Sequence, residues 1–245
     1  MDTQPHFFSR IALRREQAAA RLAIGSVHRL LRDDAYAHHQ LLWQFFPAER
    51  GSPRDFLFRY VESERSFYTV SARPPIAPDS AWELRGPKPY DPQIETGTVL
   101  HFDLRANPVV THARDDKRKR DDVVMHAKKQ IMQAHGVNRW ADVPAVEAAP
   151  LYQLAQEHGL QWLQSVGQRQ GFSLLPGRVE VGSYLRHRLS PGRSQSGKAG
   201  SIALTTLDFS GQLTVTDTPL FRDALLKGVG HGKGFGCGLL LVKRA

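Results

Sequence analysis

Pro219-Leu-Phe-Arg-Asp-Ala-Leu-Leu-Lys227, Gly228-Val-Gly-His-Gly-Lys-Gly-Phe-Gly-Cys-Gly238 and Leu239-Leu-Leu-Val-Lys243 follow one another in the last part of the 245-residue sequence. They read as a helix with proline near its start, a loop in which every second residue is glycine, and a closing strand. Working back from there, strands are predicted over 212–216, after Ser210-Gly211, and over 202–209 and 179–188, the last two flanking a loop rich in Ser, Gly and Arg. A helix is predicted over 151–168 and an alternating strand over 98–105. Strand, helix, two strands, helix, strand is the order of a ferredoxin-like unit.

The first half shows the same order less fully. Residues 7–13 read as a strand and the basic, Ala-rich segment 14–31 as helical. Asp33 and Asp34 stand where a cap and first turn belong, ahead of a helix over 36–46 that stops at Pro47. Two strands, 55–61 and 67–71, are joined by a charged turn. The Pro-rich stretch 74–92 supports no further element and reads as a join, so the boundary is placed at 91–97. The expectation is an α+β protein of two tandem ferredoxin-like (RRM-like) domains, 1–93 and 97–245. The tandem rests on element order, with no repeat in the sequence itself.

The glycine loop suits an anion. Glycine lets successive N–H groups converge on phosphate oxygens, and Lys233 supplies charge, with Gly230 and Gly236 as further contacts. A Walker loop is excluded because Gly234 stands where Ser or Thr must follow the Lys, and a dinucleotide fingerprint because no helix opens behind it. A flexible turn before the last strand is the competing reading. The partner class follows from charge. Lys and Arg outnumber Asp and Glu by 33 to 24, and a basic surface of that kind favours a polyanion through counterion release. The single cysteine, Cys237, excludes an internal disulfide framework and a Cys-rich zinc site, and fits a cytoplasmic setting. No apolar run approaches the length of a membrane span.

Tyr36 and His39 stand three residues apart on the predicted helix, so both can address one phosphodiester. Histidine titrates near neutrality and can take a proton from a ribose 2′-hydroxyl or give one to a leaving 5′-oxygen. His38 is adjacent, and eleven histidines are scattered through the chain, so the pair alone does not decide. Asp33, Asp34, Asp115, Asp116, Asp121 and Asp122 read as caps or solvated charge rather than metal ligands. Lys117-Arg118-Lys119-Arg120 is placed in a polar loop, as a phosphate contact or a solvated run. Tyr184-Leu-Arg186-His-Arg188-Leu-Ser-Pro-Gly-Arg193 reads as a basic hairpin able to lie along an RNA groove. Trp162 reads as core, and His231 as solvent-facing.

Tyr36-Ala-His-His39-Gln-Leu-Leu-Trp43, Arg54-Asp-Phe-Leu-Phe58, Leu104-Arg-Ala-Asn-Pro108 and the glycine run together resemble the CasE family, the repeat-processing endoribonucleases of type I-E CRISPR systems. The resemblance spans nearly the whole chain. It implies that His39 rather than His38 is catalytic, with Tyr36 beside it, and that Gly228, Gly230, Lys233, Gly236 and Gly238 form the family loop. It also implies metal-independent cleavage without a cofactor, once at the base of a CRISPR repeat stem-loop, by 2′-hydroxyl attack leaving a 2′,3′-cyclic phosphate. The product would stay bound within the multisubunit surveillance complex. Segments 14–31 and 121–150 look expanded relative to the family. A hairpin-holding subunit that does not cut, and a DNA-binding structural subunit, are the alternatives of other classes.

Overall fold

The computed structural model describes residues 4–14, 35–49, 51–114, 117–189 and 202–245. The helix expected over 14–31, the caps at Asp33 and Asp34, and Arg193 lie outside these. Strand β1 (Phe7–Leu13), helix α1 (Ala35–Phe45), β2 (Phe56–Val61), β3 (Ser66–Ser71) and β4 (Trp82–Pro89) build the first unit, an antiparallel sheet in the order β2-β3-β1-β4. Helix α1 forms because its apolar residues recur at helical spacing. Leu41, Leu42 and Phe45, with Phe46 just beyond the helix, are buried against Ile11, Phe56, Phe58 and Phe67. The rings of Phe46 and Phe56 stack at 4.3 Å.

Strand β4 corrects the reading of the Pro-rich stretch as a join. It holds the sheet edge, where a proline without an N–H is tolerated. Residues 72–81 carry no helix, so this unit lacks the second helix of a complete ferredoxin-like fold.

The second unit contains β5 (Val99–Ala106), β6 (Val109–Arg114), β7 (Lys117–Asp122), α2 (Val123–Ala134), α3 (Leu151–Arg169), β8 (Phe172–Leu189), β9 (Ile202–Val215), α4 (Thr218–Lys227) and β10 (Leu240–Arg244). Its main sheet is ordered β10-β5-β9-β8, the same arrangement as in the first unit. Leu163 of α3 and Phe221 and Leu225 of α4 bury against Leu104, Leu207, Phe209 and Leu213. Asp217 caps α4 by accepting from the Leu220 amide at 2.9 Å, as the proline-led start leads one to expect.

Three expectations change here. The run Lys117 to Arg120 is not a loop but lies in β7, paired antiparallel with β6; four consecutive cations offer no period-2 apolar signal to reveal it. Asp122 then caps α2, accepting from Val124 and Met125 amides at 3.2 and 3.0 Å. Strands 202–209 and 212–216 are one strand, β9, because Gly211 stays paired to Phe102 on one side and Val179 on the other. Finally, β8 begins at Phe172, ahead of the expected start, with register shifts between Leu174 and Val179.

The two units share a joint. Alternate residues of β2 point away from α1, so Leu57 joins Val70, Leu226 and Leu239 in an apolar cluster. The buried Arg59 places Nη2 2.7 Å from Asp103 Oδ1 and 3.6 Å from Asp208 Oδ1, and Arg105 holds Asp208 at 2.8 Å. Arg59→Ala is expected to cost about 2 kcal/mol, below the usual loss for a broken buried pair because Asp208 keeps Arg105 and Asp103 is half exposed. Arg59→Met, which keeps the packed stem, should cost less. Denaturant unfolding measures both, and equal stability of wild type and Arg59→Ala would refute the assignment.

Candidate functional site

On α1, Tyr36, His39 and Trp43 occupy one face. The His39 ring lies 6.3 Å from Tyr36 and 6.4 Å from Trp43. His38 points the other way: it is 3% exposed and packs 5.0 Å from the edge of Phe67 and 4.5 Å from Tyr60. The adjacent histidines are therefore separated by burial, with only His39 on the face that carries Tyr36.

The glycine run crosses from the second unit onto this face. Between Gly232 and Gly236, both in the left-handed region, Lys233–Phe235 forms a single 3-10 turn. The Gly234 carbonyl lies 2.7 Å from His39 Nδ1, and the Phe235 ring sits 5.3 Å from the imidazole. A carbonyl can only accept, so Nδ1 carries the proton of the neutral ring and Nε2 keeps its lone pair. Burial lowers the His39 pKa from its ordinary value. The Gly234 hydrogen bond opposes that, and the Arg54 charge adds to it.

Lys233 is half-buried and donates to the Lys227 carbonyl at 2.6 Å. Its pKa is also lowered, by burial first and then by Arg54. Arg54, just before β2, reaches the same turn: a Cβ at Gly234 would lie 3.1 Å from Arg54 Nη1 and 3.6 Å from His39 Nδ1. Neither Arg54 nor Lys233 has a carboxylate partner among the described residues. A histidine and two cations without a carboxylate partner among the described residues, gathered around one backbone turn, could together seat a single phosphodiester with a proton acceptor at its edge.

The other expected contacts divide into groups. Gly236 lies against the Phe58 ring, and Gly230 against Trp162, so both serve close packing of the loop. Trp162 itself stacks 6.1 Å from Phe209, in keeping with its reading as core. Arg186 is exposed on β8 and Arg188 follows on the same strand, where β8 comes alongside α1. Leu204, the ladder partner of His187 between them, packs with Ala35, Tyr36, Phe235 and Cys237. Lys117, Arg118, Lys119 and Arg120 run along β7 at the other end of the glycine loop. There Arg120 is exposed, and His231 bridges to Asn107. The His231 pKa is lowered by burial, then by Arg120 and Lys233. His231 is itself exposed, as read from the sequence.

Two features were not legible. Arg54 was only part of a motif, because a lone arginine before a strand carries no pattern. The structure also gathers His112, Asp121 and His126, from three separate elements, with ligand atoms within 4.8 Å of one another. Asp121 in this group is engaged by Lys129, whose Nζ lies 2.7 Å from both carboxylate oxygens.

Fold and site together define a class: a basic protein of tandem ferredoxin-like units, in which the C-terminal glycine loop meets the first helix at a histidine and two cations. The CRISPR associated protein family model matches residues 6–244. The Cascade subunit CasE of Escherichia coli K12 is 32% identical over 213 residues, covering 84% of this chain and 90% of its own. The chain belongs to the CasE family of CRISPR-associated proteins. The CRISPR-associated endoribonuclease Cse3 of Thermus thermophilus is 28% identical over 162 residues, covering 64% of this chain and 61% of its own. The fold is that of a Cse3 structure bound to 19 nt RNA (TM-score 0.62, 22% identity, 98% of this chain and 99% of that one). It is also that of Escherichia coli Cas6e (TM-score 0.56, 22% identity, 98% and 100%). No helix among the described residues is long and apolar enough to cross a membrane.

Proposed function

We propose that this protein is the endoribonuclease that cuts CRISPR repeat RNA once at the base of its stem-loop, without metal, and keeps the product as a subunit of the surveillance complex. The observation that carries this reading is the contact of His39 Nδ1 with the Gly234 carbonyl, which leaves Nε2 as a base beside two cations. Membership of a family whose Escherichia coli relative is a Cascade subunit supports the partner assignment.

The chemistry is an internal transesterification. His39 Nε2 takes the proton of the 2′-hydroxyl, the O2′–P bond forms and the P–O5′ bond breaks. A 2′,3′-cyclic phosphate and a 5′-hydroxyl result, the latter completed by a proton from Tyr36 or water. Lys233 holds phosphate charge. The chain around 1–93 supplies the base, and 97–245 supplies the loop and the RNA grip. Arg186, Arg188 and Arg193 of the basic hairpin, with Lys117 to Arg120 of β7, meet stem phosphates or a terminal base pair. An A-form stem exposes these more readily than its major-groove edges.

End-labelled repeat RNA incubated with purified protein in excess EDTA should be cut once beneath the stem, with a cyclic phosphate end. At sub-saturating protein the rate reports the free form. Because the base must be neutral and burial lowers its pKa from the ordinary histidine value, the rate should be flat near pH 7 and fall on acidification below the usual histidine range. Binding without cutting would leave a hairpin-holding subunit, equal competition by duplex DNA a non-specific binder, and a rate that falls as pH rises would make His39 an acid.

A further inference from the structure

We propose that Arg54 is a catalytic residue of this site, its guanidinium gripping a non-bridging oxygen of the scissile phosphate beside His39. The inference rests on the cleavage reading above, which counts Arg54 only as nearby charge, and gives that residue a specific contact in the reaction.

The placement of Arg54 is costly unless something anionic arrives. Its side chain is half-buried, and burial lowers its pKa from the ordinary arginine value. Its Nε is buried with no hydrogen-bond partner among the described residues. The neighbouring carboxylate that could have neutralised it, Asp55, is instead held by Arg73 through Nε to Oδ2 and Nη2 to Oδ1. Arg73 also donates to the Phe46 and Pro47 carbonyls, which fixes Asp55 away from Arg54. Meanwhile the Arg54 guanidinium carbon stands 5.9 Å over the Phe56 ring, an aromatic support that steers the planar group without satisfying its N–H donors. An uncompensated cation in a semi-buried place is expected to be paired in the working state.

Position then names the partner. The backbone of Gly234 is the shared neighbour of Arg54 and His39: a Cβ there would stand 3.1 Å from Arg54 Nη1 and 3.6 Å from His39 Nδ1, so both side chains close on the same turn. Both His39 and Lys233 feel the Arg54 charge. An anion seated among the three is therefore within reach of the imidazole as it takes the 2′-hydroxyl proton. As that oxygen attacks, the non-bridging oxygens gain negative charge, and a fork of N–H donors already in place stabilises this without reorganisation. Lys233, tied to the Lys227 carbonyl, supplies a point charge but not a planar pair of donors.

The test compares wild type, Arg54→Lys, Arg54→Ala and the pocket-neutral control Arg85→Ala, whose residue lies exposed on β4. Single-turnover cleavage is measured on repeat RNA, and affinity on the same RNA with a 2′-deoxy substitution at the cut. Arg54→Ala should slow cleavage about 10²-fold, the usual loss of a transition-state donor, and Arg54→Lys should recover part of it. Millimolar guanidinium should rescue Arg54→Ala alone. Removing this charge from the set facing His39, which on its other sides meets Tyr36, Lys233 and the Gly234 carbonyl, should also move the acid limb of the pH profile upward. A misfolded variant would instead show a lowered melting midpoint and no rescue, and Arg54→Lys would then carry the decision. If wild type cuts and both Arg54 variants cut equally fast, the assignment of Arg54 is wrong; if wild type itself does not cut, the cleavage reading fails first.

Discussion

His39→Ala is expected to cleave repeat RNA about 10³-fold more slowly than wild type at pH 7, a loss typical of a removed acid–base group. Its affinity for the uncut hairpin should change by no more than roughly twofold, because a neutral imidazole releases no counterion on binding. The two effects separate because His39 differs from its cationic neighbours in kind. On the proposed mechanism Arg54 and Lys233 hold charge in the ground state and after it, whereas His39 acts only while the 2′-hydroxyl proton is in flight.

The variant also loses the hydrogen bond that ties α1 to the glycine turn at Gly234, which should cost about 1 kcal/mol of stability. Thermal unfolding must accompany the kinetics for that reason. His38→Ala makes the converse control. It removes a ring packed against Tyr60 and Phe67 and should lower the melting midpoint while cleavage persists where the protein remains folded. Full cleavage by His39→Ala would move the base elsewhere, with Tyr36 the next group on that face.

Helix α1 and the terminal loop were readable from the sequence because each carries a local signal. Leu41, Leu42, Phe45 and Phe46 recur at helical spacing, and the alternate glycines of 228–238 suit neither a helix nor a strand interior, which leaves a tightly turning loop. Tyr36 and His39 could be set on one face by counting residues. What counting could not supply was the contact between residues 39 and 234, since a carbonyl leaves no trace in residue type. The same limit hid Arg54, whose meaning depends on Asp55 being held elsewhere by Arg73. Strand β4 was missed for a different reason. Proline discourages a strand in general, yet an edge position needs only one side of its backbone. Strand β7 went unseen because its partner β6, not its own pattern, makes it a strand. The choice between His38 and His39 rests on resemblance; what the structure adds is that His38 is buried against the core while His39 shares a face with Tyr36.

Gly238→Ala is expected to be the most damaging single methyl that can be added to the site. Gly238 lies at φ +87, where an L side chain is strained by about 1–3 kcal/mol. A Cβ there would also sit 2.6 Å from the Val229 carbonyl oxygen and 3.3 Å from Lys233 Cγ. Neither end can yield easily. The Gly238 amide donates to the Arg105 carbonyl at 2.7 Å, and its carbonyl accepts from the Val229 amide at 2.8 Å, so the residue is pinned to β5 and to the start of its own loop. Strain plus a backbone clash should together cost about 3 kcal/mol or more, which for a chain of this size lowers the melting midpoint by roughly 10 °C. Gly177→Ala isolates the first contribution, since Gly177 has φ +69 with nothing within 4 Å of the added carbon; it should lose only about 1 kcal/mol and keep full cleavage. Relief of the clash in Gly238→Ala has one route, displacement of the 229–238 loop, and that loop carries both Lys233 and the carbonyl that orients His39. Cleavage should therefore fall even at temperatures where the variant is folded, while Gly177→Ala cuts as wild type does. If the two variants melt together and cut alike, the loop is softer than its hydrogen bonds indicate, and the orientation of His39 cannot depend on Gly238.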